Sequence, residues 1–290
     1  MIAALALAIL SSLCFGVALV TGRIGLRSLD ARSGAGISIP TATALFALAT
    51  PFAFDAEGFT VQAMLWFAFV GLFFPAVVTI LTFRSNETLG PTVTGAVSGT
   101  APLFALLAAA LLLGESIPAQ AAVASVAIVA GVALISWKQS AVRSEFLGWS
   151  LLWPISGAVV RGFAQAGAKA GLLLWPNPFA ASLIGYSVSS ATVIGANQIG
   201  RSTRPKPTKH GIAWFAVTGV LNGGAVLLMY AALNIAPVSL IAPIVATYPL
   251  VTALASAVVL REEPVTRRMV AGATLIVLAI VYLVGSRTGA

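Results

Sequence analysis

The polar side chains that interrupt long apolar stretches are the candidates for binding chemistry in this sequence. Arg161, Gln165 and Lys169 recur every four residues, so they share one face of a helix. Burying a charge is costly, so we expect Arg161 either to face an internal cavity or to extend its charged end to the nearest polar surface. For Lys169 the second alternative is favoured. An arginine in a cavity would favour an anionic or zwitterionic ligand.

Two prolines indicate a second group of candidates. Pro102 and Pro249 are predicted to lie mid-helix, where each removes a hydrogen bond and frees the carbonyl four residues back, at Ser98 and Val245. Kinks with free carbonyls are tolerated in apolar surroundings where they line a cavity. The remaining candidate ligand-binding residues lie beside these prolines or on a later helix: Ser98, Thr100, Thr247, Tyr248, Asn222 and Tyr230. The alternative is packing, with hydroxyls bonded to their own helix and glycines near Asn222 allowing close helix contact.

Enzymatic chemistry is difficult to build from this sequence. It has one histidine, His210, and one cysteine, Cys14, and it has no phosphate-binding Gly-x-x-x-x-Gly-Lys-Ser/Thr loop. The acidic residues lie in loops or at the ends of apolar stretches, and we expect Glu115 and Glu262 to cap the ends of the fourth and ninth helices. We therefore predict no metal, no cofactor and no enzyme, with a membrane-embedded enzyme as a remote alternative.

Composition determines which elements must position these residues. Of 290 residues only 8% are charged, 59% are hydrophobic, and the mean hydropathy is +1.01. An ordinary soluble domain is about a quarter charged, so a soluble enzyme, a nucleic-acid-binding protein and a disordered chain are excluded. Long continuous apolar runs predict an all-α polytopic membrane protein. We predict ten spans: 2–21, 36–54, 61–83, 92–113, 119–137, 147–165, 179–199, 211–230, 238–260 and 269–285.

The chain contains an internal repeat. Thr100-x-Pro102 and Glu115 recur as Thr247-x-Pro249 and Glu262, each 147 residues later, while Gly16 matches Gly157 more weakly. The predicted halves are 1–140 and 141–290, with five helices each. Because five is odd, the two halves must be inverted relative to each other, which is typical of transporters with a binding site near the membrane midplane. A duplicated structural bundle is the alternative.

These features together resemble the EamA family of the drug/metabolite transporter superfamily. Each half has a Thr-x-Pro-Leu fourth helix and a Gly-rich fifth helix, and Phe15-Gly16 followed by Arg23 is similar to the Trp-Gly…Lys pattern of the family's first helix. The resemblance implies a secondary transporter that exports small organic metabolites by alternating access of two inverted repeats. It extends to a lipid or lipid-linked sugar flippase as the alternative. We predict a small-molecule metabolite and membrane lipids as partners, with a monomer or homodimer as the assembly.

The distribution of basic residues predicts the orientation in the cell (inner, cytoplasmic) membrane. Basic residues concentrate in cytoplasmic loops, and the odd-numbered loops contain thirteen of the sixteen. Both termini are therefore expected outside. We expect the basic loop 201–210 to lie against anionic lipid headgroups and to bind no nucleic acid.

A reporter fused to Ala290 tests this orientation. We expect an extracytoplasmic reporter to be active there, because the odd-numbered loops face the cytoplasm. Activity of a reporter that works only in the cytoplasm would contradict the predicted orientation.

Overall fold

The computed structural model describes residues 1–136, 147–198, 208–260 and 266–288. These residues form helices joined by short connections, and no strand occurs among them. The first half contains α1 (Ile2–Leu26), α2 (Ala31–Ala53), α3 (Val61–Phe73), α4 (Ala76–Ser98), α5 (Ala101–Leu113) and α6 (Ala119–Ser136). The second half contains α7 (Leu147–Ser150), α8 (Leu152–Leu174), α9 (Pro178–Gln198), α10 (Lys209–Ile235), α11 (Val238–Val245), α12 (Tyr248–Ala255) with a π-helical turn (Ser256–Leu260), and α13 (Arg267–Thr288).

The helices confirm a polytopic membrane protein with ten spans, although the limits of the sixth differ from those predicted. The third span is α3 and the first part of α4, and it ends where Gly90 adopts a φ of 80°. The rest of α4 and α5 form the fourth span, and α11 and α12 form the ninth. Seven helical stretches of the described chain are long and apolar enough to cross a membrane, and two shorter apolar helices accompany them.

The predicted limits of the sixth span, 147–165, are wrong. The long helix α8 runs from Leu152 to Leu174, while 147–150 form the separate short helix α7. The polar face of α8 lowers the hydropathy of its second half, so the apolar pattern ended too early. As a result, Arg161 lies near the middle of the helix and not towards its end.

The paired prolines begin helices, which corrects the expected mid-helix kinks. Pro102 and Pro249 lie in the first turns of α5 and α12, after two-residue breaks in each span. The hydroxyl of Thr100 donates to the carbonyl of Val97 at 2.7 Å, and that of Thr247 donates to the carbonyl of Ile244 at 2.8 Å. The two breaks therefore have the same local structure in both halves.

Two close helix crossings show which glycines correspond in the repeat. A Cβ at Gly16 would lie 2.8 Å from the Tyr248 carbonyl oxygen on α12, and a Cβ at Gly162 would lie 2.7 Å from the Ala105 nitrogen on α5. Gly162 is therefore the counterpart of Gly16, 146 residues later, and the weak match to Gly157 is wrong. The same spacing makes Arg161 the counterpart of Phe15.

Basic side chains close the ends of equivalent helices. The Arg23 guanidinium donates to the carbonyls of Asn86 and Glu87 at 2.8 and 3.2 Å, where the third span ends. Lys169, which follows Gly162 by the same seven residues, donates to the carbonyls of Leu233 and Ala236 at 2.6 and 3.3 Å. Unpaired carbonyls and the helix dipole make a helix C-terminus favourable for a cation. Lys169 therefore caps α10 and does not extend to the membrane surface as expected.

Glu115 links the two halves. Its carboxylate accepts hydrogen bonds from the amides of Val238 and Ser239 at 3.1 and 3.0 Å and from the Ser239 hydroxyl. It caps the beginning of α11 and not the end of its own span, which corrects the expected role. Glu262 and most of the basic loop 201–210 lie outside the described residues.

The crossing at Gly162 can be tested by alanine substitution. Gly162→Ala places a methyl group against the backbone of α5 and should cost about 1–3 kcal/mol by overpacking. The control is Gly224→Ala on α10, because a Cβ there meets no atom within 4 Å. Thermal unfolding in detergent should show a lower melting temperature for the first variant only. An unchanged melting temperature for Gly162→Ala would contradict the crossing.

Candidate functional site

A narrow cavity lies among the middle parts of helices from both halves. Its free volume is about 30 Å³, which is room for about two water molecules. The first half contributes α1, Phe74 and α4, and the second half contributes α8, α9, α10 and α12. The lining residues are Phe15, Ala18, Leu19, Phe74, Val78, Thr79, Thr82, Phe83, Arg161, Tyr186, Asn222, Val226 and Tyr248.

The central feature of this cavity is the guanidinium of Arg161. The side chain is 8% exposed, and its Cζ atom lies over three aromatic rings: 5.0 Å from the ring centre of Phe15, 5.5 Å from Tyr248 and 5.8 Å from Phe74. An arginine over an aromatic face gains about 0.5–2 kcal/mol from the ring quadrupole. These rings stabilise the cation, but they supply no oxygen acceptor for its N–H groups.

Several polar atoms around Arg161 lack hydrogen-bond partners within the described chain. They are Nε and Nη1 of Arg161 and the hydroxyls of Tyr186 and Tyr248. Both tyrosines line the same cavity as the guanidinium. No lining residue in the described segments is acidic. The cavity therefore concentrates unsatisfied donors around one positive charge, which is the electrostatic requirement for binding an anion.

Three of the predicted binding residues line this cavity: Arg161, Tyr248 and Asn222. Two others are buried next to it. Gln165 lies one turn beyond Arg161, with its Oε1 atom unpartnered among the described residues, and Ser98 lies near the Tyr248 hydroxyl without a hydrogen bond of good geometry.

The remaining candidates have structural positions outside the lining. Thr100 and Thr247 bond to their own helices, and Thr247 also contacts the Ser12 hydroxyl at 3.0 Å. Tyr230 is buried on α10. Pro102 and Pro249 begin helices and place Tyr248, beside Pro249, at the cavity.

Four aromatic residues that line this site, Phe15, Phe74, Phe83 and Tyr186, are not among the binding residues that the sequence predicts. Phe15 belongs only to the family pattern, and nothing in the sequence distinguishes Phe74 or Phe83 from other apolar residues. The sequence does not show whether a phenylalanine in an apolar span faces a cavity or the lipid. Tyr186 is different, because its hydroxyl needs a partner within an otherwise apolar span.

The model of the EamA-like transporter family matches residues 2–137 and again residues 148–285. The chain belongs to the EamA family. This EamA protein is therefore a multi-pass membrane transporter of the drug/metabolite transporter type. A solved structure titled "Crystal structure of protein" shares the fold, with a TM-score of 0.76, 15% identity and 99% coverage of both chains. No curated protein matches the sequence significantly.

The unpaired charge in the cavity predicts an unusual effect on stability. Arg161→Met keeps an unbranched side chain and removes a buried cation whose desolvation costs several kcal/mol and which has no acidic partner in the described lining. We expect a melting temperature higher than that of the wild type by about 3 °C or more in ligand-free protein, measured in detergent.

Lys169→Met is the matched control for this measurement. It removes a cation that does have acceptors, the carbonyls at the end of α10. Its melting temperature should fall. A fall of similar size in Arg161→Met would mean that the guanidinium has partners and that the cavity is not electrostatically unsatisfied.

Proposed function

We propose that this EamA protein is a secondary transporter that exports a small organic metabolite by alternating access of its two inverted halves. The observation that carries the proposal is the position of the cavity. It lies near the middle of the spans, both halves contribute to it, and it contains the polar groups that a solute would need.

The matched helix breaks support movement around this cavity. The breaks before α5 and α12 have the same threonine-to-carbonyl bonds, and Gly16 and Gly162 pack against those two helices. When one half tilts against the other, each of these equivalent contacts can take up the arrangement that its counterpart had before. Such an exchange opens the site to one side and then to the other.

Transport of a soluble metabolite is favoured over lipid flipping by the location of the polar groups. Two grooves in the described part of the chain are lined almost entirely by apolar side chains, one between α3, α5 and α8 and one between α6, α12 and α13. Neither groove has a basic residue that could hold a headgroup phosphate. The cation is at the central cavity instead.

We propose outward transport because the family resemblance implies export. We propose the orientation of the protein from the distribution of its basic residues. With thirteen basic residues in the odd-numbered loops, both termini would lie outside the cytoplasmic membrane. The Arg23 cap would then lie at the cytoplasmic face and the Lys169 cap at the outer face, because five crossings separate equivalent helices.

Reconstitution into proteoliposomes tests the transport proposal. We expect counterflow of at least one member of a panel of amino acids, organic acids and nucleosides, because the site is built for a small polar solute. Lipid scrambling without counterflow of any solute would support the flippase and overturn the proposal. Arg84→Gln, at an exposed residue paired with Glu87, should transport like the wild type.

A further inference from the structure

We propose that the cargo is a monoanionic organic acid, whose single carboxylate binds Arg161, Tyr186 and Tyr248. This inference rests on the proposed transport function and names the substrate class of the same cavity. It excludes zwitterions and neutral solutes as preferred cargo.

The donors present in the cavity match one carboxylate. Arg161 offers Nε and Nη1, and each tyrosine offers a hydroxyl, all four buried and without a partner in the described residues. A carboxylate has two oxygens and about four lone-pair sites, and it accepts hydrogen bonds without donating any. The three side chains come from α8, α9 and α12, so the arrangement depends on the tertiary fold and not on one helix end.

Charge balance favours an anion over other ligands. The three rings over Arg161 stabilise the cation, but no carboxylate of the described chain lines the cavity to neutralise it. A neutral solute would leave the buried charge uncompensated. A bound monoanion brings the net charge of the site to zero, and charge-assisted hydrogen bonds are about twice as strong as neutral ones.

A zwitterion meets a second difficulty. Its ammonium group would have to lie close to the same guanidinium, since both ends of a small amino acid occupy one narrow cavity. Only neutral oxygens and rings are available to it there, including Thr79, Thr82 and Asn222. The repulsion between two like charges makes the α-ammonium unfavourable.

The rest of the lining favours an apolar body on this acid. The side chains of Leu19, Val78, Phe83 and Val226 complete the cavity and present only hydrocarbon. A second carboxylate would find no second cation in this lining, so a dicarboxylate is disfavoured. A short branched or cyclic monocarboxylate matches this chemistry, and because the cavity has room for only about two water molecules, the surrounding helices must move apart to admit its apolar body.

Three compounds with one carbon skeleton test the inference directly. Isocaproate, isocaproamide and leucine differ only in the carboxylate charge and the α-ammonium. Their binding to the full-length protein in nanodiscs is measured by calorimetry at about pH 7, where the acid is ionised. We expect isocaproate to bind at least about tenfold more tightly than the other two, which corresponds to about 1.4 kcal/mol.

Variants assign the effect to Arg161 and Tyr186, two of the three side chains. Arg161→Gln should abolish the preference for the acid, and Tyr186→Phe should weaken acid binding by about tenfold and weaken amide binding by less, because a hydrogen bond to a charged acceptor is the stronger one. Arg84→Gln and Tyr282→Phe are the matched controls, since both original side chains are exposed outside the cavity. Both controls should bind like the wild type.

The outcomes separate this inference from the proposed function. Equal binding of leucine or the amide, an unchanged preference in Arg161→Gln, or no binding of isocaproate overturns the inference. Arg161-dependent binding of isocaproate together with no counterflow of it or of any other solute supports the anion site and contradicts the transport function. Counterflow restricted to neutral or zwitterionic solutes supports transport and overturns the anion site.

Discussion

An arginine in the middle of the membrane with no acidic partner among the described residues is the constraint on which the site depends. The protein meets part of its cost with three aromatic faces, Phe15, Phe74 and Tyr248. Removing an ion from water costs several kcal/mol even after relaxation of its surroundings, so these contacts alone do not balance the charge. The unsatisfied part of that cost is available as binding free energy for an anion.

The duplicated architecture explains how one half can carry this charge. Phe15 and Arg161 occupy equivalent positions before Gly16 and Gly162. The two halves therefore pack alike here, but one has an aromatic ring at this position and the other has a charge. The glycines keep the close crossings, and the basic residues Arg23 and Lys169 cap equivalent helix ends. Symmetry in these contacts favours two similar overall arrangements, while the Arg161 cation at the centre gives the site its positive charge.

Much of this fold could be predicted from sequence because a membrane imposes long apolar helices. The exception was the sixth span, where the polar face that matters for function made the hydropathy pattern end early. The two prolines indicate where the helices are interrupted. The structure of each interruption depends on a threonine-to-carbonyl hydrogen bond, which the sequence pattern does not reveal. The counterpart of Gly16 was missed because an arginine replaces the aromatic residue before it.

The site was only partly predictable for a related reason. Arg161, Tyr248 and Asn222 could be selected because polar groups in apolar spans need a partner. Phe15 and Phe74 could not be separated from the many phenylalanines that contact lipid. Their role appears only when the helices that carry them meet around a guanidinium.

An experimental structure of the wild-type protein in lipid nanodiscs with isocaproate would test the central claim most directly. We predict density for an anion within hydrogen-bond distance of Arg161 Nη1, with Phe15, Phe74 and Tyr248 around the guanidinium. A protein carboxylate or a lipid phosphate paired with Arg161, or a side chain turned away from the cavity, would contradict it.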